Sequence, residues 1–388
     1  MKNPLSQKIT NIPPSGIRKF FDVAATMEDV VSLGVGEPDF DTPLKVREAG
    51  IESLRKGQTT YTSNSGLQEL RDEVAAYTKR SIGVEYSPNT EVLITVGGSE
   101  GIDNSLRALI NPGDEVILPE PAFVSYRPCA LMSGGVPVAI PLQNENNFKL
   151  TAAELEAAIT PKSKVLILSF PNNPTGAIMT EDELVPIAEL AIKHDLIVIS
   201  DEIYAELTYE GKHASIASLP GMRERTLIIN GFSKAFAMTG WRLGWICGPE
   251  MIVEQILKLH QYALMCAPTT AQYAAIVALR ECAEDVVMMR ESYNERRTFL
   301  MGEFERLGMP AFEAKGAFYL FPSIQRFGLS SDEFATRVLQ EERLAVVPGT
   351  AFGESGEGFL RISYAYSIED LKEAIVRLEK FIKRLESE

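Results

Sequence analysis

The chain has 388 residues, with 38 Lys and Arg against 53 Asp and Glu, and so a net charge of −15. Its 45% hydrophobic and 23% charged residues are typical of a globular protein and exclude a disordered or fibrous one. At roughly 150 residues per unit the length suits two to three compact units, and so acidic a chain is a poor partner for nucleic acid.

The first twenty residues carry Lys2, Lys8, Arg18 and Lys19 but no continuous apolar core, which reads as no secretory signal. No apolar run, Lys164-Val-Leu-Ile-Leu-Ser-Phe170 included, approaches the roughly 20 residues that cross a bilayer. The expectation is a soluble, cytoplasmic protein. Beyond Asn89, short apolar runs alternate with helical patterns: Glu91 to Val96, Asp114 to Leu118, Lys164 to Phe170, Leu196 to Ser200, Thr226 to Asn230 and Leu243 to Cys247. These read as buried strands. Two of the helical segments open with a capping box, Thr151 with Glu154 and Thr180 with Glu183. The alternation predicts an α/β fold with a mostly parallel sheet covered on both faces, whose ligands sit beyond the carboxyl ends of its strands. The texture changes at a charged helical stretch from Asp285 to Leu307. The last helix, opened by Ser367, sets Leu371, Ala374, Ile375, Leu378, Phe381, Ile382 and Leu385 on one apolar stripe, which reads as packing within a smaller α+β unit.

Three strand ends carry unusual polar groups. The run from Glu91 to Val96 enters Gly97-Gly98-Ser99-Glu100-Gly101 and a helical pattern. A glycine turn at a helix N-terminus favours a phosphate, although such turns also serve as tight connections. Asp201, with Tyr204 three residues on, follows the run from Leu196 to Ser200 and reads either as a helix cap or as a functional acid. Lys234 stands among apolar residues after the run from Thr226 to Asn230. Burying an unpaired ammonium is expensive, and a desolvated lysine is the standard route to a Schiff base. Arg242, eight residues later, can meet a phosphate with its guanidinium fork. The four cysteines and the histidines His194, His213 and His260 form no zinc arrangement, so no metal is expected. With so little histidine, a Ser-His or Cys-His pair is not the expected chemistry. Cys247 and Cys266 read as buried small hydrophobes, His194 and His213 as surface or loop residues, and Trp241 as a packing residue.

Taken together, Ser233-Lys234 with Gly240-Trp241-Arg242-Leu243-Gly244, Pro171-Asn172-Asn173-Pro174-Thr175-Gly176, Asp201 with Tyr204, Arg361-Ile362-Ser363, Ser32-Leu33-Gly34-Val35-Gly36-Glu37-Pro38-Asp39-Phe40 and Tyr61 occur in a telling order. This pattern resembles the class I pyridoxal 5′-phosphate-dependent aminotransferases of fold type I, in their aspartate and aromatic branch, from about residue 12 to the last helix. The resemblance implies a large, mostly parallel sheet domain sandwiched by helices over residues 41–285, and a smaller α+β domain over 286–388 that an N-terminal segment, 1–40, joins. It implies that Lys234 is catalytic, bonding the cofactor aldehyde and then shuttling a proton. Asp201 would pair with the pyridine nitrogen, Tyr204 and Asn173 would bond the phenolic oxygen, and Phe123 would stack on the ring. Many relatives carry Trp or Tyr at that last position, so Phe123 keeps the stack and loses a polar handle.

By the same resemblance the backbone of Gly98, Ser99 and Glu100, the Ser233 hydroxyl and Arg242 would cradle the phosphate. Tyr61 would reach the phosphate of a neighbouring subunit, implying a homodimer with shared sites. Arg361, Gly36 and Asn173 would bind the substrate, with Arg361 clamping its α-carboxylate. The implied reaction moves the α-amino group of an L-amino acid, aspartate or an aromatic one, to a 2-oxo acid such as 2-oxoglutarate, a step of amino-acid metabolism and biosynthesis. Two other readings stay open: a carbon–sulfur β-lyase of the same fold, and a non-catalytic, cofactor-bound ligand-sensing module. The segment Pro13-Pro14-Ser15-Gly16-Ile17-Arg18 is expected near the mouth of the site, with Ile17 as an apolar plug.

Overall fold

The computed structural model describes residues 4–14, 16–17 and 26–388. Strand β1 (Val31–Ser32) precedes seven strands that form one sheet: β2 (Val92–Thr95), β3 (Glu115–Glu120), β4 (Val136–Pro141), β5 (Ser163–Ser169), β6 (Ile197–Asp201), β7 (Thr226–Gly231) and β8 (Gly244–Cys247). Their spatial order is β2-β8-β7-β6-β5-β3-β4. Pairing is parallel from β4 through β7, while β8 runs antiparallel to both β7 and β2. Six of these strands match the apolar runs. Strand β4 is absent from those runs, and its physical character explains why. Val136-Pro-Val-Ala-Ile-Pro141 lies at the sheet edge and is only partly buried, the setting in which a strand tolerates proline.

Burial on both faces follows residue by residue. Leu93, Val116, Leu118, Val165, Ile167, Ile199, Leu227, Ile229 and Ile246 pack on one side with Ile102 and Leu106 of the helix Gly98–Leu109. Their neighbours point the other way. Val92, Ile94, Ile228, Trp245 and Cys247 enter one cluster there, and Ile117, Leu166, Leu168 and Val198 another. This period of two, apolar on both faces, is what makes the runs read as continuously hydrophobic. Both predicted capping boxes form, with Thr151 and Thr180 each accepting from the backbone N–H of the glutamate three residues on.

The C-terminal part holds β9 (Tyr319–Leu320), β10 (Leu344–Ala345), β11 (Val347–Pro348) and β12 (Leu360–Ser363), with the antiparallel order β11-β12-β9. Strand β1 pairs in parallel with β10, Val31 opposite Leu344, which brings the N-terminal segment against the C-terminal part. The helix Ala283–Arg306 bridges the cores: Val286 packs with the sheet cluster, whereas Met289, Tyr293, Leu300 and Phe304 pack with the C-terminal cluster. On the final helix, Ile368–Leu385, the stripe is buried as expected from Leu371 to Ile382, and Leu385 packs against the same cluster while partly buried.

Candidate active site

The groups singled out in the sequence converge at the carboxyl ends of β6 and β7. Asp201 ends β6, and Lys234 lies three residues beyond the end of β7. Around them lies a cavity of about 360 Å³, lined by Gly36, Gly98, Ser99, Phe123, Asn173, Asp201, Tyr204, Ser233, Lys234, Arg242 and Arg361 among others. Of the predicted residues, Glu100 and Tyr61 do not line it. Tyr61 is 78% exposed and faces away from its own chain's core.

Each candidate side chain has a local reason for its place. Asp201 is buried, accepts from the Tyr126 hydroxyl at 2.7 Å and from the Ile203 N–H at 3.2 Å, and so is anchored on both sides. Burial pushes its carboxyl up to about 6, against the pull of the Tyr126 bond, and neighbouring Glu202 adds to the rise. The Lys234 amine donates to the Gly36 carbonyl at 2.5 Å and lies 5.5 Å from the centre of the Phe318 ring. Burial, followed by the Arg361 cation, brings it down to about 8. An amine so tuned is partly unprotonated near neutrality, as carbonyl capture requires.

Arg242 sits at φ +54°, an uncommon conformation for a residue with a side chain, and its Nη1 donates to the Thr239 carbonyl at 2.9 Å. Gly244 explains the glycine of the signature: a Cβ there would lie 2.8 Å from the Gly97 carbonyl carbon and 2.9 Å from the Gly98 nitrogen, so only glycine lets β8 support this turn. Asn172 holds the next loop by accepting from the Thr175 N–H at 3.1 Å and hydroxyl at 2.9 Å. That turn presents Asn173, whose Oδ1 accepts from Arg361 Nη1 at 3.2 Å. Arg361 is buried, with its guanidinium 4.7 Å from the Tyr319 ring centre and 4.8 Å from that of Phe352. Its Nη2 donates to the Gly34 carbonyl, and its Nε is buried with no partner among the described residues. A Cβ on Gly36 would lie 2.2 Å from the Tyr319 hydroxyl oxygen, so that backbone closes on the cavity only as glycine.

Several neighbours escaped the sequence reading. Tyr126 lies 75 positions from Asp201, and Tyr319, whose hydroxyl pairs with that of Tyr204 at 2.7 Å, lies 115 positions away. Both lines of contact depend on tertiary packing, and their only sequence signal is an aromatic in an apolar run. Ile17 lines the cavity as expected, whereas Ser15 and Arg18 of that segment lie outside the described residues. His213 lies in a loop, as read, with its Nε2 2.9 Å from the buried Glu202 carboxylate and its side chain 11% exposed. His194 lies in the turn that ends the helix Glu181–Lys193, also as read. One expectation is corrected. Cys266 is partly exposed because it lies in the connection between the helices Glu250–Ala263 and Thr269–Glu281. Cys247 is buried on β8, and Trp241 is partly buried, as read.

The chemistry of this donor set fits pyridoxal 5′-phosphate. A helix N-terminus with Arg242 and Ser233 suits a dianion, a buried carboxyl anchored by Tyr126 suits a protonated ring nitrogen, and Lys234 suits an aldehyde. Fold and site thus define a pyridoxal 5′-phosphate-dependent α/β enzyme of fold type I. Comparison with known proteins agrees. The family "Aminotransferase class I and II" matches residues 28–378. The chain is 52% identical over 384 residues to a putative aminotransferase, YugH, of Bacillus subtilis (strain 168), covering 99% of this chain and 100% of that one. It is 47% identical over 382 residues to an aspartate aminotransferase of Pyrococcus abyssi, covering 98% of each. The crystal structure of an aromatic aminotransferase from Pyrococcus horikoshii OT3 superposes with a TM-score of 0.91 at 45% identity, covering 94% of this chain and 99% of that one. The chain therefore belongs to the class I and II aminotransferases, and its activity is amino-group transfer with pyridoxal 5′-phosphate. These relatives favour neither the β-lyase nor the sensing module.

Proposed function

We propose that the cavity around Lys234 is the active site for reversible transfer of the α-amino group of aspartate or an aromatic amino acid to a 2-oxo acid such as 2-oxoglutarate. One observation carries this reading: the Asp201 carboxyl, the Lys234 amine, Arg242 and Arg361 all line a single cavity at the ends of adjacent parallel strands. When bound, the cofactor supplies an aldehyde and an electron sink for the pair left as the substrate Cα loses its proton. Lys234 holds the aldehyde end and then moves that proton on Nζ, which an amine brought down to about 8 does readily near neutral pH. Asp201, anchored by Tyr126, keeps a proton on the ring nitrogen through its negative charge. Tyr204 and Asn173 hold the phenolic oxygen, and Phe123 covers the ring face. Gly98, Ser99, Glu100 through their N–H groups, Ser233 and Arg242 hold the phosphate, and Arg361 with Gly36 and Asn173 orients the substrate carboxylate.

The relatives support the two substrate classes that the resemblance implies, one being an aspartate aminotransferase and another an aromatic aminotransferase. The exposed Tyr61, Tyr262, Leu264 and Met265, with Asn64 Nδ2 donating to the Met265 carbonyl at 2.7 Å, support a homodimer in which Tyr61 completes the partner's site. The proposed division into 1–40, 41–285 and 286–388 is supported by the helix Ala283–Arg306, which joins the two cores and holds 285 in its first turn. None of the described helices is long and apolar enough to cross a membrane, in keeping with a cytoplasmic role in amino-acid metabolism and biosynthesis. The test is a panel of amino donors against 2-oxoglutarate, oxaloacetate and pyruvate. Turnover with aspartate or aromatic donors and 2-oxoglutarate is expected; turnover confined to other donors would overturn the assignment.

A further inference from the structure

Glu100 does not line the cavity, yet its carboxylate makes contacts that its backbone alone does not explain. Its carboxylate reaches back over the start of the helix Gly98–Leu109, where Oε2 accepts from the Val96 N–H at 2.5 Å, immediately before the Gly97 cap. Its Oε1 accepts from Asn104 Nδ2 at 2.9 Å and lies 2.6 Å from Nδ1 of His260, 160 positions away. An ionised carboxylate only accepts, so Nδ1 donates. His260 is fully buried on the last turn of the helix Glu250–Ala263, which packs on the Gly98–Leu109 helix. Its Nε2 is buried with no partner among the described residues. A core position filled for packing alone would not retain a half-satisfied imidazole, because an orphaned polar atom is costly.

We infer that His260 is a positioning residue for the phosphate end of the cofactor, acting through the Glu100 carboxylate. The inference rests on the placement of the phosphate at the Gly98–Ser99 end of the cavity. Two anions then compete for one helix N-terminus. The carboxylate fastens the turn through Val96 and would otherwise repel the phosphate or swing into its place. The imidazole donor takes up part of its charge and pins it on the core side of the turn. Without that bond the N–H groups of Gly98 and Ser99 lose their alignment toward the ligand.

The test uses apoprotein and two probes that cannot bond Lys234, 4-deoxypyridoxine 5′-phosphate and unphosphorylated 4-deoxypyridoxine. An asparagine amide places its donor near the position of Nδ1 and a glutamine amide near that of Nε2, so H260N and H260Q separate the bonded nitrogen from the orphaned one. Loss of one hydrogen bond to a charged group predicts that H260Q and H260L bind the phosphorylated probe about ten-fold more weakly. The same variants should bind the unphosphorylated probe as the wild type does, and H260N should retain most of the wild-type affinity. Equal weakening for both probes, or H260Q surpassing H260N, would overturn the role of His260. If the wild type showed no preference for the phosphorylated probe, the placement of the phosphate would fall, and the inference with it.

Discussion

Replacing Tyr126 with phenylalanine isolates one interaction behind the Asp201 carboxylate. The Tyr126 hydroxyl donates to Asp201 Oδ2 at 2.7 Å, and both residues are buried. Burial holds the Asp201 carboxyl at about 6, against 3.8 for a solvated aspartate, while the tyrosine pulls it down. A hydrogen bond to an ionised group contributes about 1.5–3 kcal/mol, and one pKa unit corresponds to about 1.4 kcal/mol. Removing the hydroxyl therefore raises Asp201 by roughly one to two further units. A carboxyl whose folded value exceeds its unfolded one contributes stability that is fully present below about 3.8 and is lost as pH rises through about 6. In Y126F that loss continues to higher pH. The variant apoprotein should accordingly lose about 1.5–3 kcal/mol more stability at about pH 8.5 than at about pH 5. Urea denaturation of both apoproteins at the two pH values measures this, and carboxyl-carbon NMR follows Asp201 itself. Equal destabilisation at both would refute the reasoning, because it would report lost packing alone.

Two further predictions concern the cations of the site. Capture of the cofactor aldehyde by apoprotein should accelerate with pH and level off above about 8, as the Lys234 amine loses its proton; stopped-flow absorbance measures it, and acceleration continuing toward 10.5 would contradict the shielded amine. Replacing Arg361 with lysine exchanges a planar fork for a point charge. It should cut kcat/KM by about 10- to 100-fold, worth roughly 1.4–2.8 kcal/mol, while leaving cofactor affinity unchanged; a loss confined to cofactor binding would refute a role at the substrate carboxylate.

The sequence is most legible where local chemistry decides structure. Strands buried on both faces show themselves as unbroken apolar runs, and Thr151 and Thr180 announce helix starts because their bonds close within three residues. Strand β4 is hidden because an edge position frees it from both the apolar pattern and the ban on proline. The direction of β8 is hidden too, since hydropathy is the same for a strand run either way. In the site, Arg361 is reached only through the family resemblance, whereas Lys234, Asp201 and Arg242 stand out as charges set in or beside apolar runs. Their supports do not: Tyr126 behind Asp201, Tyr319 beside Tyr204, and His260 behind Glu100 come together only through packing between elements far apart in the chain. The contact of His213 with Glu202 is hidden for the same reason, since the sequence places that buried glutamate beside Asp201 with no sign of the pairing.

The central claim is that nitrogen passes from donor to acceptor through the Lys234 cavity. Nitrogen-15-labelled aspartate or an aromatic amino acid, incubated with holoenzyme and unlabelled 2-oxoglutarate, tests it directly. The label should appear in glutamate, one for each donor consumed, and K234A should carry none of it across. Label released as ammonia, with 2-oxoglutarate unconsumed, would contradict it.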